Sequence, residues 1–235
     1  MHRWEILLPG IPLITNLGFL GLCNVILIKI DDKYMVFDPG HYGNREPLLS
    51  ALHNRGLNVN DIDYVVLSHL HFDHAINALL FPKAKIIISR SEIDYAQSNP
   101  SDPYLATYLI NLIRDRLTIV DNNNGLLGAR FILLPGHTGG TMGLLLEDKT
   151  LLAGDAIKYV SEALSKKATF TYYSNELANE SINKALSIAK AVVPGHDAPF
   201  IVDGNSLRPL GSEPFNFQLT LRGRIKLTII DENAY

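Results

Sequence analysis

Tyr64-Val65-Val66-Leu67-Ser68-His69-Leu70-His71-Phe72-Asp73-His74 is the stretch from which the rest of the chain can be read. The apolar run Tyr64 to Leu67 has the character of a buried strand, and polar groups crowd in where it stops. Along an extended backbone residues i and i+2 share a face, so His69 and His71 can serve one metal. Asp73 and His74 follow a turn and can reach a second ion beside the first. Neutral imidazole and carboxylate suit zinc and its borderline-soft neighbours. Four residues cannot complete two coordination shells, so further ligands are expected elsewhere.

Three other apolar runs end in the same way. Phe131-Ile132-Leu133-Leu134-Pro135-Gly136 leads into His137, Thr150-Leu151-Leu152-Ala153-Gly154 into Asp155, and Ala191-Val192-Val193-Pro194-Gly195 into His196. Glycine directly precedes each candidate and permits close approach and unusual backbone angles. Strand ends that converge on one edge are a favoured place to build a site. The expected assignment is His69, His71 and His137 for one ion, and Asp73, His74 and His196 for the other. Asp155 is left to bridge them, since one carboxylate has two oxygens.

His69-Leu70-His71-Phe72-Asp73-His74, followed in order by His137, Asp155 and His196, resembles the HxHxDH motif and the later ligands of the metallo-β-lactamase superfamily. Gly136 to Thr141 is similar to that family's glycine-rich turn, and the resemblance runs from about Leu20 to Phe200. It implies an α/β fold, an αββα sandwich of two mixed β-sheets flanked by helices, with the metals at one edge. The ligand set itself implies hydrolysis by a hydroxide shared between two divalent ions. Zinc is expected first, and iron or manganese also accept such ligands. Asp73 orients the second ion and is the expected proton acceptor. Asp38, in Asp38-Pro39-Gly40, is either a turn former or, on the resemblance, an acidic residue beside the metals.

Ser68 to Ala75 is similar to the lactonase version of the motif, and a tyrosine shortly after the bridging aspartate in those enzymes points to Tyr159. Val193 to Phe200 looks like a small branch that includes a nuclease acting on histone pre-messenger RNA. The leading expectation is hydrolysis of a small ester, lactone or thioester, with Phe72, Tyr104, Tyr108 and Tyr159 as an apolar wall. The alternatives are a metal-dependent phosphodiesterase or nuclease of the same fold, and a non-catalytic metal- or ligand-binding protein.

Composition sets the frame. With 235 residues, 47% hydrophobic and 19% charged, the chain reads as a soluble globular protein, expected to form one domain over 1–235. Its net charge of −3 offers no general basic footprint for nucleic acid. A single cysteine, Cys23, excludes an internal disulfide and reads as a buried thiol. Proline, glycine and asparagine interrupt the apolar segment Ile6 to Ile30, so a membrane span is not expected there. No signal peptide is expected either, which points to the cytoplasm.

Strands are expected at Trp4–Leu8, Val25–Ile30, Tyr34–Phe37 and Lys85–Ser89, and helices at Arg45–Asn54, Asp73–Leu80, Pro103–Leu117 and from the cap Ser174 through Lys190. Asp121 to Gly125 reads as a turn. Alternation in Phe215, Phe217, Leu219 and Leu221, then Ile225, Leu227 and Ile229, predicts a terminal hairpin at about 213–231. It would either close the sheet or pair with another subunit in a homodimer.

Overall fold

Alternation along the strand Val25–Ile30 divides its side chains between two cores. Val25 and Leu27 join a buried cluster with Leu48 and Leu52, whereas Ile26 and Ile28 join another with Phe131 and Met142. A strand apolar on both faces needs a cover on each side, and that requirement generates layers. The computed structural model describes residues 2–11, 14–16, 18, 19, 21–121, 124–204, 206–210, 215–221 and 225–231.

Six strands form the first sheet, in the order His2–Leu8, Val25–Ile30, Lys33–Phe37, Tyr64–Val66, Lys85–Ser89 and Leu117–Val120. The first pairings are antiparallel and the last three parallel. Seven strands form the second, in the order Ser206–Pro209, Phe200–Asp203, Ala191–Pro194, Thr150–Gly154, Met142–Leu145, Ala129–Leu133 and Gly125–Leu126. Only Thr150–Gly154 and Ala191–Pro194 run parallel among its pairs. The inner faces meet through Phe37, Val66, Phe131, Leu144 and Val193. The helices Arg45–His53, Arg90–Ser98 and Tyr108–Ile113 cover the outer face of the first sheet, and Val160–Ser165 and Asn175–Ile188 cover the second. The result is the expected αββα sandwich.

Local signals explain most element ends. Ser174 caps its helix by accepting from Leu177 N, and the helix stops at Ile188, two residues short of the expected Lys190. Ser89 caps the helix Arg90–Ser98 in the same way through Glu92 N. The expected helix Pro103–Leu117 is corrected: its α-helical part is only Tyr108–Ile113, a 3-10 turn covers Arg114–Arg116, and Leu117 opens a strand. The metal-motif loop claims the preceding backbone. Phe72 N donates to Tyr104 O at 2.9 Å and Ala106 N to Leu70 O at 2.8 Å, so 104–106 lie extended beside it.

The terminal hairpin pairs Phe215–Leu221 with Ile225–Asp231 and joins neither large sheet among the described residues. Asn122 and Asn123 of the expected turn, and Arg222 and Gly223 between the hairpin strands, lie outside the described residues. Cys23 is fully buried as expected. No helix among the described residues is long and apolar enough to cross a membrane.

Candidate metal centre

Four strand ends deliver the candidate ligands to one edge. Tyr64–Val66 leads into the loop with His69 and His71 and the short helix Phe72–Ala75 with Asp73 and His74. Ala129–Leu133, Thr150–Gly154 and Ala191–Pro194 deliver His137, Asp155 and His196. Glycine is required where these loops crowd: a Cβ on Gly195 would stand 2.1 Å from Asp155 Oδ1. At Gly136, with φ of 139°, a Cβ would meet Ala178 N at 2.2 Å.

All seven residues are buried and come together. His71 Nδ1 lies 3.0 Å from His137 Nε2, and His74 Nε2 lies 3.2 Å from His196 Nε2. Asp155 spans the two pairs, with Oδ2 3.2 Å from His137 Nε2 and Oδ1 3.2 and 3.3 Å from Nε2 of His74 and His196. Asp73 Oδ2 stands 3.4 Å from His196 Nε2. Three overlapping groups could each hold an ion: His69, His71 and His137; His69, His74 and Asp155; and Asp73, His74 and His196.

The outward side of each imidazole decides what the inward side can be. His74 Nδ1 reaches Asp38 Oδ2 at 2.8 Å, and the same oxygen accepts from Ser68 Oγ at 2.6 Å. The serine has spent its hydrogen there, so at 2.8 Å it accepts from His69 Nδ1. His71 Nε2 donates to Asp102 Oδ2 at 2.9 Å and His196 Nδ1 to Leu22 O at 2.9 Å, while His137 Nδ1 lies 3.3 Å from Phe170 O and 3.4 Å from the Lys158 ammonium. A neutral ring whose outward nitrogen carries the hydrogen points its lone pair inward, and in the metal-free chain Asp155 and Asp73 favour a proton there on His74 and His196. Among the described residues His69 Nε2 and Asp155 Oδ1 are buried without a well-formed hydrogen bond. Groups packed this closely need a cation among them, a proton or a metal ion, and imidazole with carboxylate is a donor set that divalent metals accept.

Burial alone would lower His74 and His196, but Asp155 and Asp73 beside them hold both above the ordinary imidazole range. Burial lowers His69 and His137, assisted at His69 by His74 and at His137 by Lys158. Asp155 is held well below the carboxylate range against its burial by His196, His74 and His137.

Asp38 therefore touches the cluster from behind, through His74 and Ser68, and it also adopts a left-handed φ of 49°. Phe72 packs with its ring centroid 6.0 Å from that of Tyr104, and Tyr104 stands 6.0 Å from His71. The Tyr159 ring is 6.5 Å from His196; burial and Asp155 push its phenol upward, so it stays protonated. Tyr108, expected in the same wall, is 51% exposed and shares none of the ring contacts that join Phe72, Tyr104 and Tyr172 among the described residues.

Several neighbours were not anticipated from the sequence. Tyr172 packs 5.0 Å from His71 and 5.6 Å from His137, on a strap tied by Tyr172 N to His137 O. The buried ammonium of Lys158 holds the strap through Phe170 O and faces Glu162. Buried Glu92 accepts from Leu70 N, Thr138 Oγ1 and Gly140 N, so it joins the loop of His69 and His71 to that of His137. Asp102 accepts from His71. Burial raises its carboxyl, yet the hydrogen bond from His71 brings it below the usual range. Neither Asp102 nor Glu92 lies in a motif, and only the folded chain brings them to the cluster.

Residues 18–196 match the metallo-beta-lactamase superfamily. The chain is 31% identical over 161 residues to an N-acyl homoserine lactonase of Bacillus cereus, covering 64% of this chain and 62% of that protein. It is 30% identical over 171 residues to metallo-beta-lactamase domain-containing protein 1 of Rattus norvegicus, covering 72% of this chain and 63% of that one. These matches thus span less than two thirds of the relatives' length. Among solved structures, the dizinc quorum-quenching lactonase AidC, in complex with a product, superposes with a TM-score of 0.68 at 21% identity, covering 83% of this chain and 81% of that one.

Proposed function

Because the chain belongs to the metallo-β-lactamase superfamily, we propose that it is a cytoplasmic lactone hydrolase working on two divalent ions, zinc first, with N-acyl homoserine lactones as the substrate class to test. The observation that carries this reading is the convergence of one ring nitrogen from each of five histidines with carboxylate oxygens of Asp73 and Asp155. His69, His71 and His137 would hold one ion, Asp73, His74 and His196 the other, and Asp155 both. Bound there, the ions supply a water activated at neutral pH and a Lewis acid for the substrate carbonyl.

The chain's own residues do the rest. Asp73, buried in the cluster, takes the proton that hydrolysis releases. Tyr159 keeps its phenolic hydrogen and can donate it to a substrate oxygen. Phe72, Tyr104 and Tyr172 form an aromatic face beside His71 that excludes water and receives an apolar acyl group. Phe170, 60% exposed, extends that face outward. A small neutral ring fits such a wall better than a polyanion, whose binding needs several cationic contacts.

Metal-replete protein should release one acid equivalent per lactone in a pH-stat, and a chelator should stop it. Protein that carries both ions yet turns over neither lactones of several acyl lengths nor activated esters would remove this substrate class.

A further inference from the structure

His71 is the exception among the five histidines. His69, His74, His137 and His196 turn Nε2 inward and anchor Nδ1 behind. His71 turns Nδ1 inward, 3.0 Å from His137 Nε2, and sends Nε2 out to Asp102. For His69, His74 and His196 the acceptor behind the ring puts a hydrogen on Nδ1. For His71 it must sit on Nε2, and something has to enforce that reversal.

The enforcing group is a built one. The side chains of His71 and Asp102 are 4% and 3% exposed, so water does not replace the contact. Asp102 Oδ2 also accepts from the Tyr95 hydroxyl at 2.9 Å, and Oδ1 accepts from Tyr104 N at 3.1 Å. Both oxygens are thus fixed by donors from the helix Arg90–Ser98 and from the segment beside the metal-motif loop. A carboxylate offers no hydrogen of its own, so the ring facing it must present Nε2–H.

We propose that Asp102, steadied by Tyr95, is a positioning residue that holds His71 in its Nε2–H tautomer and so makes Nδ1 its metal-ligating atom. The ligand half of this statement rests on the metal reading above; the tautomer half is a property of the metal-free chain. Groups behind a metal-ligating histidine commonly change metal affinity by about 10–100-fold when removed.

Imidazole ¹⁵N–¹H correlation spectra of the folded, metal-free protein test the first half. In wild type, His71 should carry its proton on Nε2 and none on Nδ1, the reverse of the anchoring at His69, His74 and His196; His71 found as Nδ1–H would overturn the proposal with no variant needed. Asp102→Ala should lose the Nε2–H signature and weaken one equivalent of zinc by about 10–100-fold, leaving the other near wild type. Asp102→Asn keeps an acceptor oxygen and should fall between the two. A residue that merely braced the loop would lower the unfolding midpoint without moving the tautomer, and that result would contradict us. Wild-type protein with no zinc affinity would instead overturn the metal reading, and it would do so before any substitution is made.

Discussion

The strand Lys33–Phe37 has a charged pair at each end, and the two pairs are built on opposite terms. At its start Lys33 Nζ meets Asp63 Oδ1 at 3.0 Å, with side chains 43% and 28% exposed. Just past its end Asp38 Oδ2 meets His74 Nδ1 at 2.8 Å, with side chains 1% and 0% exposed. The first pair is bathed in water and screened, a contact of little consequence. The second sits where burying charge is costly unless every partner is in place. A fold that concentrates five imidazoles and two carboxylates at that same edge does not gain stability from them. It tolerates them, and a bound cation is what makes them compatible.

Breaking the buried end should therefore matter most at its centre. Asp155→Ala removes the carboxylate that faces both ion groups, so turnover should fall by more than about 100-fold, beyond the range for outlying partners, while circular dichroism stays native. Activity within tenfold of wild type would show that another group bridges.

Asp38→Asn comes next. Asparagine tolerates the left-handed backbone, but its amide can set a donor against Ser68 Oγ–H or His74 Nδ1–H, which both point at Oδ2. A mismatched buried donor costs about 1–3 kcal/mol, readable as a shift in the denaturant midpoint. An unchanged midpoint would mean that Asp38 is only a turn former.

Acidity should separate the two ion groups. His74 and His196 hold protons more tightly than ordinary imidazoles, whereas His69 and His137 hold them less tightly. Metal must displace those protons, so as pH falls the group of His74 and His196 should lose its ion first. Titrations showing both ions lost at one pH, or the reverse order, would break this reading of the electrostatics. At the exposed end, Lys33→Ala should leave midpoint and metal content unchanged, and a loss of metal there would undo the comparison.

The two ends also differ in how far the sequence discloses them. Apolar runs closed by Gly-His or Gly-Asp mark strand ends without any coordinates, and His137, Asp155 and His196 do lie beside His69 to His74. The layered fold was legible through the family that the ligand motif resembles, and the structure adds why it is layered, since Val25 to Ile28 feed cores on both faces. The helix drawn from Pro103 was not, since its apolar spacing could not reveal that Leu70 and Phe72 would capture the backbone at 104–106. Asp102 and Glu92 stayed hidden because they act across 31 and 22 residues of sequence and belong to no periodic pattern. Tyr172 lies on a strap whose position depends on Lys158 and His137.

The claim underneath all of this is that the buried edge is a site for two cations. Elemental analysis of protein purified with metal present, paired with lactone turnover on the same sample, tests it most directly. The account predicts about two equivalents of divalent metal per chain, with activity that follows the metal out under chelation and back on reloading. One equivalent or less in the folded, metal-replete protein would contradict it.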